Sequence, residues 1–339
     1  MLSKKLFYLI IASLCSLPAL VSCGGSGTSD YSNSSGKPYE LVVSIPQDMW
    51  DGEVGDTLRS VLLEPVHMLN QIEPQFDVVR INPAGLKGMV IRHRNILTVQ
   101  TNPALEKPTS QAIYDTYAKP QIMVAISAPD TRSLVDYISG NRKEIQAIFN
   151  NAERDRAVSN AKRYHEQGIS NEIYSMFGLK MNIPRGFVVK NRVGDNFLWI
   201  GYEFPAASQG VVVYSYPYTG REDFTPENML HRRNQFLSNI PGASDGSYMS
   251  TSEYIEPEVT YMRIDNRPWA EMRGFWDMKG DFMGGPFVSY SGINTTTRQV
   301  VTVEGFLYSP RDHKRNMMRT LEHLIHSAYF PAQETPRQD

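Results

Sequence analysis

The amino-acid sequence predicts an α+β fold: antiparallel sheets with helices packed on them, in two halves of similar size. Two observations predict this class. Strand-like segments occur in clusters joined by short turns, and helical patterns interrupt these clusters. At 339 residues, with 41% hydrophobic and 11% aromatic residues, the chain can form one large domain or two closely packed ones.

The first 22 residues have the layout of a bacterial export signal. Lys4 and Lys5 precede an apolar run, residues 6–20, that is shorter than the about 20 residues of a membrane span. The sequence Leu-Val-Ser-Cys that ends at Cys23 resembles the lipobox of bacterial lipoproteins. This resemblance implies cleavage of residues 1–22, a diacylglycerol on Cys23 and a stable membrane anchor.

The ends of the mature chain are predicted to be unstructured. Residues 23–37 consist largely of Gly, Ser and Asn, which is typical of a flexible tether, and residues 331–339 are predicted to form a disordered tail. Cys15 is removed with the signal and Cys23 carries lipid, so no thiol remains for a disulfide, a metal site or a nucleophile.

The N-terminal half is predicted to span residues 38–180 and to contain long charged helices. Hydrophobic segments predict four strands, at residues 39–45, 76–81, 95–100 and 121–127. Helical periodicity follows Asp51, and it follows the N-cap candidate Asp130, from which an apolar stripe runs towards Tyr164.

The C-terminal half, residues 181–330, is predicted to be richer in strands. The expected strands lie at residues 187–191, 197–202, 210–218, 258–264, 269–276, 287–291 and 299–308. Thr225 and Pro226 are predicted to begin one helix, and a last helix is expected between Asp312 and Ala328.

Charge and motif content exclude several classes of function. Loss of the signal changes the formal net charge from −2 to −4, without the basic excess that is typical of nucleic-acid binding. No phosphate loop, dinucleotide fingerprint or zinc-type spacing occurs, so we expect no cofactor and no metal. His323 and His326 project away from the apolar arc of the last helix and are predicted to face solvent among cations.

One segment of the second half is the first candidate for a site. It contains Trp276, Asp277, Asp281, Met283, Gly284 and Gly285. Two carboxylates beside a tryptophan could act as an acid–base pair in a pocket. The alternative is a tight connection between two strands, in which the paired glycines supply positive φ.

Two further features are candidates for binding or modification. Tyr214, Tyr216 and Tyr218 alternate along a strand and share one sheet face, which either stacks on sugar rings or a peptide, or packs under a helix. The triplet at Asp56, Thr57 and Leu58 resembles a short O-glycosylation acceptor of exported Bacteroidota proteins, which implies a glycan on Thr57; a plain helical role is the alternative.

Longer stretches carry a family resemblance. They are residues 36–43, 50–52, 55–58, 94–96, 273–276 and 283–289. These stretches resemble domain-of-unknown-function family 4837, whose members resemble one another as Bacteroidota lipoproteins without an established activity. The resemblance implies a shared surface at Trp50, Arg273, Trp276 and the loop 283–287, and the same residue types are equally suited to core packing and turns.

These observations lead to an expectation of function by elimination. We expect a non-enzymatic envelope lipoprotein that binds membrane lipid through Cys23 and an envelope protein or ligand through its folded part. The alternatives are an envelope hydrolase that uses Asp277 or Asp281, and a glycan-binding lipoprotein. Residues 24–27 lack the acidic cluster that resembles a surface-export signal, so we expect the periplasmic face of the outer membrane.

Overall fold

The computed structural model describes residues 32–331. Outside the described residues lie the predicted signal peptide, Cys23, most of the tether and residues 332–339 of the predicted tail. Within the described range the α+β class, the two halves and the predominance of antiparallel pairing are confirmed.

A five-stranded sheet with helices packed on it forms the N-terminal half. Its strands are β1 Glu40–Ser44, β2 Asp77–Ile81, β3 Asn95–Thr101, β4 Thr109–Tyr114 and β5 Ile122–Ala128. Its helices are α1 Gln47–Asp51, α2 Glu53–Leu62, α3 Thr131–Gly140 and α4 Arg142–Arg163. The core of this half forms where alternate residues of β1 and β5, such as Val43 and Val124, meet Leu58, Leu134 and Phe149 of the helices.

Pairing in this smaller sheet departs from the antiparallel expectation. The strand order is β2-β1-β3-β5-β4, and only the edge pair β4–β5 is antiparallel. The connection from β1 to β2 contains α1 and α2, and a crossover of this length allows parallel pairing, which a short turn cannot.

An antiparallel sheet of eight strands forms the C-terminal half. The strands are β6 Val188–Val193, β7 Phe197–Glu203, β8 Ser208–Pro217, β9 Tyr248–Thr251, β10 Glu258–Ile264, β11 Arg267–Lys279, β12 Gly284–Asn294 and β13 Gln299–Tyr308. They stand in the order β10-β11-β12-β13-β8-β7-β6, with β9 beside β11. The helices are α5 Gln167–Phe177, α6 Pro226–Leu237 and α7 Arg315–His326.

Alternation along these strands divides the larger sheet into two apolar faces. On the α7 face, Val301 and Val303 of β13 belong to a core with residues of α5 and α7. On the α6 face, Val300 and Phe306 of the same strand belong to a core with residues of α6. Both faces are covered because the strands carry apolar residues at odd and even positions alike.

The boundary between the halves lies earlier than residue 180. Helix α4 ends at Arg163, and Ile173 and Phe177 of α5 pack into the α7-face core. The apolar residues of α5 therefore belong to the core of the second half.

Helix α7 joins the two halves through its polar side. The Glu73 carboxylate accepts hydrogen bonds from the backbone N–H groups of Lys314 (2.6 Å) and Arg315 (3.0 Å) at the start of the helix. His323 lies 2.6 Å from the Tyr39 hydroxyl, measured from Nε2. The prediction that this histidine faces solvent is wrong, because the N-terminal half packs on the polar side of α7.

A candidate apolar cleft

A cleft of about 580 Å³ opens on the α6 face of the larger sheet. Aromatic, methionine and proline side chains dominate its lining. We use the name apolar cleft for the space bounded by Trp199, Glu203, Phe204, Pro205, Ala206, Ala207, Ser208, Ile240, Pro241, Gly242, Ala243, Met249, Trp276, Met278, Met283, Phe306, Tyr308, Pro310 and Arg311.

Strand alternation places the floor of the apolar cleft. Trp276 and Met278 occupy even positions of β11, and Phe306 occupies an even position of β13, so all three project onto the α6 face. The Trp276 indole Nε1–H donates to the carbonyl oxygen of Leu307 at 3.3 Å, so the ring reaches across Gly285 of β12 to strand β13.

Loops at one end of the sheet surround this floor. The β7–β8 connection contributes residues 204–207, and the segment after α6 contributes residues 240–243. Phe282 is fully exposed in the β11–β12 turn beside Met283, a residue of the cleft. The candidate segment predicted from the sequence therefore contributes Trp276 and Met283 to the cleft.

The carboxylates of Asp277 and Asp281 lie outside the apolar cleft. Asp281 accepts hydrogen bonds from the backbone N–H groups of Ala243 at 3.0 Å and Phe282 at 2.7 Å, which holds two loops together. The Asp277 carboxylate lies 4.0 Å from the Lys279 ammonium group. Neither aspartate is among the residues that line the cleft, so they do not form an acid–base pair there.

Gly284 and Gly285 serve close backbone approach rather than positive φ. A Cβ atom at Gly285 would lie 2.0 Å from the carbonyl oxygen of Leu307, and one at Gly284 would lie 2.8 Å from that of Trp276. The positive φ of this connection belongs to Gly280, at 82°. Gly284 and Gly285 are thus required because β12 packs closely between its two neighbouring strands. The turn itself lies before them, at Gly280.

The surface implied by the family resemblance is divided among separate places. Arg273 lies on the α7 face, where it pairs with Glu271 and Glu322, on the opposite side of the sheet from Trp276. Trp50 packs against the core of the N-terminal half, with the Arg59 guanidinium 4.7 Å from its ring centroid. These residues therefore do not form one surface.

The three tyrosines share one face, but α6 covers most of it. Tyr214 and Tyr216 are 2% and 5% exposed, and Phe236 of α6 stacks on Tyr214 with 4.6 Å between ring centroids. Burial raises the pKa of Tyr216 to about 12. Tyr218 contacts Phe224 at the rim. An open aromatic surface for sugar stacking is excluded for Tyr214 and Tyr216 by this packing.

Thr57 lies within α2 and is half-buried. Its hydroxyl donates to the backbone carbonyl oxygen of Glu53 at 2.7 Å, an ordinary helical contact. Glycosylation of Thr57 stays a prediction, which the intact mass of the native protein tests.

Two charged residues border the apolar cleft, and one of them is neutralised. Glu203 pairs with Lys190, with 2.9 Å between carboxylate oxygen and ammonium nitrogen. Arg311 is exposed and makes no ion pair within residues 32–331. The indole N–H of Trp199 is enclosed without a hydrogen-bond partner in the described structure. The cleft thus combines apolar walls, a free cation at its border and an unused donor.

Residues 32–331 contain neither a candidate metal site nor a candidate membrane-spanning helix. No group of three or more His, Cys, Asp or Glu side chains could hold a metal ion there. No helix in the same range is long and apolar enough to cross a membrane.

Comparison with solved structures gave weak likenesses. The Ran-binding protein Mog1p of Saccharomyces cerevisiae is 10% identical with a TM-score of 0.29, over 45% of this chain and 90% of that one. LpqN, described as involved in cell envelope biogenesis of Mycobacterium tuberculosis, is 13% identical with a TM-score of 0.25, over 44% of this chain and 81% of that one. At these TM-scores the likeness carries no argument about function.

Comparison with sequences points to two families. No curated protein matches the chain. The N-terminal stretches that resemble family 4837 fall in a region, residues 34–162, that matches another domain of unknown function (DUF8532). The C-terminal stretches fall within residues 166–327, which match the domain of unknown function DUF4837. The chain therefore joins two halves that match two families of domains of unknown function, with the apolar cleft in the DUF4837 half.

Proposed function

We propose that this protein is a non-enzymatic binding component of the bacterial cell envelope, anchored by lipid at Cys23, that holds an apolar ligand in the apolar cleft. The cleft is the observation that carries the proposal. Ligand sites have volumes of roughly 300–1,000 Å³, apolar and aromatic walls and a few polar groups, and the apolar cleft has each of these properties.

The location of the protein follows from its first residues. The lipobox-like sequence before Cys23 and the short apolar run favour export and acylation over a membrane-spanning segment. The missing acidic cluster after Cys23 favours the periplasmic face of the outer membrane. The DUF4837 match agrees with this proposal, and the Bacteroidota origin belongs to the proposal as well.

The enzymatic alternative lacks a catalytic pair. A hydrolase would need carboxyl groups that converge on the ligand, and the carboxylates of Asp277 and Asp281 lie against Lys279 and against backbone amides. The glycan alternative lacks its open aromatic surface, because Phe236 covers Tyr214.

Labelling and extraction test the proposal together. Cells that express the native protein are grown with labelled palmitate and fractionated, and the purified lipoprotein is extracted with organic solvent for mass spectrometry. We expect label on the protein, an outer-membrane location and a co-purifying apolar compound. A Cys23→Ser form should lose label and membrane location.

Two results would count against the proposal. If the palmitate label persists in the Cys23→Ser form, the proposed lipid anchor at Cys23 is wrong. The second result has two parts: the purified protein contains no apolar compound, and one envelope protein is crosslinked to it repeatedly in cells. Together they would mean that the protein binds a protein partner rather than an apolar ligand.

A further inference from the structure

We infer that the apolar cleft binds a single-chain anionic amphiphile of the long-chain fatty acid class, with the acyl chain along Trp199 and Trp276 and the carboxylate at Arg311. This inference rests on the proposed function and specifies the ligand of the same cleft. Three observations carry it: the volume of the cleft, its balance of charge and the character of its mouth.

The volume fits one long acyl chain. An engineered protein cavity of about 150 Å³ holds one benzene ring of six carbons. A cleft of about 580 Å³ is nearly four times as large, which corresponds to roughly 20 carbons by the same scale. That is enough for a single long chain.

The charges select an anion. Glu203 and Arg311 are the charged residues of the cleft lining, and the Lys190 ammonium group at 2.9 Å compensates Glu203. Arg311 has no counter-ion within the described residues, so the border of the cleft has one uncompensated positive charge. A guanidinium group binds a carboxylate through paired N–H donors, which suits one anionic head group at the border of the cleft.

The mouth suits an amphiphile that enters tail first. Phe204 of the cleft lining is 39% exposed, and Phe282, which precedes the cleft residue Met283, is fully exposed. Large aromatic side chains at the entrance of an apolar space are costly to leave in water and are covered when an acyl chain lies across them.

Calorimetric titration of a chain-length series tests the inference. The protein is the mature chain with Cys23→Ser, which keeps residues 24–339 unchanged and leaves out the lipid. Monomeric saturated fatty acids of increasing length are compared with monoacylglycerols of equal length. Each methylene inside the cleft should tighten binding about fourfold, up to a plateau when the cleft is full.

Two variants with matched controls distinguish binding of the ligand's carboxylate from binding of its acyl chain. Arg311→Glu should weaken fatty-acid binding at least tenfold and leave monoacylglycerol binding unchanged, whereas Arg92→Glu, an exposed arginine of the other half, should change neither. Ala206→Trp places a large ring in the cleft and should weaken both ligands, whereas Ala112→Trp on the exposed strand β4 should weaken neither.

The outcomes distinguish failure of the inference from failure of the proposed function. If the protein binds the fatty acid and the monoacylglycerol with equal affinity, and Arg311→Glu changes neither affinity, the inference of an anionic ligand is wrong. The proposal of an apolar ligand would still stand. Binding to phosphatidylglycerol vesicles without binding to monomeric acid would overturn it in favour of a membrane surface. No binding of any amphiphile would overturn it too, while the labelling and extraction experiment still decides the anchor and the native ligand.

Discussion

The two faces of the larger sheet show how similar strands produce a sealed core on one side and a binding site on the other. On the α7 face, α5 and α7 cover the strands, and the N-terminal half packs on the polar side of α7. On the α6 face, one helix of 12 residues is the principal cover. The connections at residues 204–207 and 240–243 border the part of this face that stays open as the apolar cleft.

The faces also differ in how their polar groups are treated. On the α6 face, Arg233 of α6 and Glu304 of β13 form a buried pair with contacts of 2.7 and 2.8 Å. On the α7 face, polar side chains are concentrated where the two halves meet, at Glu73, Tyr39 and His323. Hydrogen bonds and ion pairs thus hold the covering helices α6 and α7 in place on the two faces, and the cleft lies beside α6.

The largest expected effect concerns the attachment of α6. Arg233→Met leaves the Glu304 carboxylate buried without its partner, and we expect a loss of about 3–5 kcal/mol in the free energy of unfolding. Urea unfolding followed by circular dichroism measures it. The double variant Arg233→Met with Glu304→Leu should recover most of the loss, because it removes both charges. A double variant as unstable as the single one would show that packing, rather than the unpaired charge, is responsible.

The second prediction concerns the acid sensitivity of the opposite face. Burial lowers the pKa of His323 to about 4, from about 6.5 in the unfolded chain. Between pH 6.5 and 4 the unfolded chain binds a proton that the folded protein does not, so acidification through this window removes stability that is fully present above pH 6.5.

Urea unfolding at pH 7 and pH 5 tests this acid sensitivity. We expect wild type to lose about 2 kcal/mol more than His323→Gln, which keeps a hydrogen-bonding group near Tyr39 and does not titrate. An equal loss in both proteins would place the acid sensitivity elsewhere.

The third prediction concerns the cap that the N-terminal half provides for α7. Glu73→Ala removes the acceptor of two backbone N–H groups, and we expect a loss of about 1–2 kcal/mol. Hydrogen exchange should quicken at Lys314 and Arg315. Glu73→Gln keeps an oxygen acceptor and should cost less, and a cost as large as that of Glu73→Ala would mean that the negative charge, rather than the cap, matters.

The smallest expected effect lies at the open end of the α6 face. Ala206 is exposed, so Ala206→Trp should change the free energy of unfolding by less than about 0.5 kcal/mol, while it blocks the apolar cleft. Thermal unfolding of the variant and of the Ala112→Trp control provides the measurement. A large loss at Ala206 would show that this end of the sheet is part of the core.

Much of the fold follows from residue patterns, and the exceptions have physical reasons. Strands with a buried face, such as β1 and β13, are found at their predicted positions because burial imposes a hydrophobic pattern. Strand β4 is exposed along its whole length and β9 has four residues, so neither carries a pattern to read. Parallel pairing in the smaller sheet depends on contacts between strands distant in sequence, which periodicity does not report.

The candidate site was predicted only in part, for a similar reason. Trp276 and Met283 were singled out, while Trp199, Phe306 and Arg311 were not. These three residues come from separate strands and a loop, and each has an ordinary local context. That Arg311 is unpaired and that Lys190 compensates Glu203 are properties of the folded chain, which no local pattern reports.

The expected lipid anchor at Cys23, the α+β class, the strands with a buried face and the apolar side of α7 could all be inferred from residue order. These properties depend on neighbours along the chain, which fix periodicity and capping. Three other properties required the folded arrangement: the polar side of α7 is an interface, Tyr214 lies under Phe236, and a cleft remains beside α6. Those outcomes depend on which distant elements pack together and how much surface each can cover.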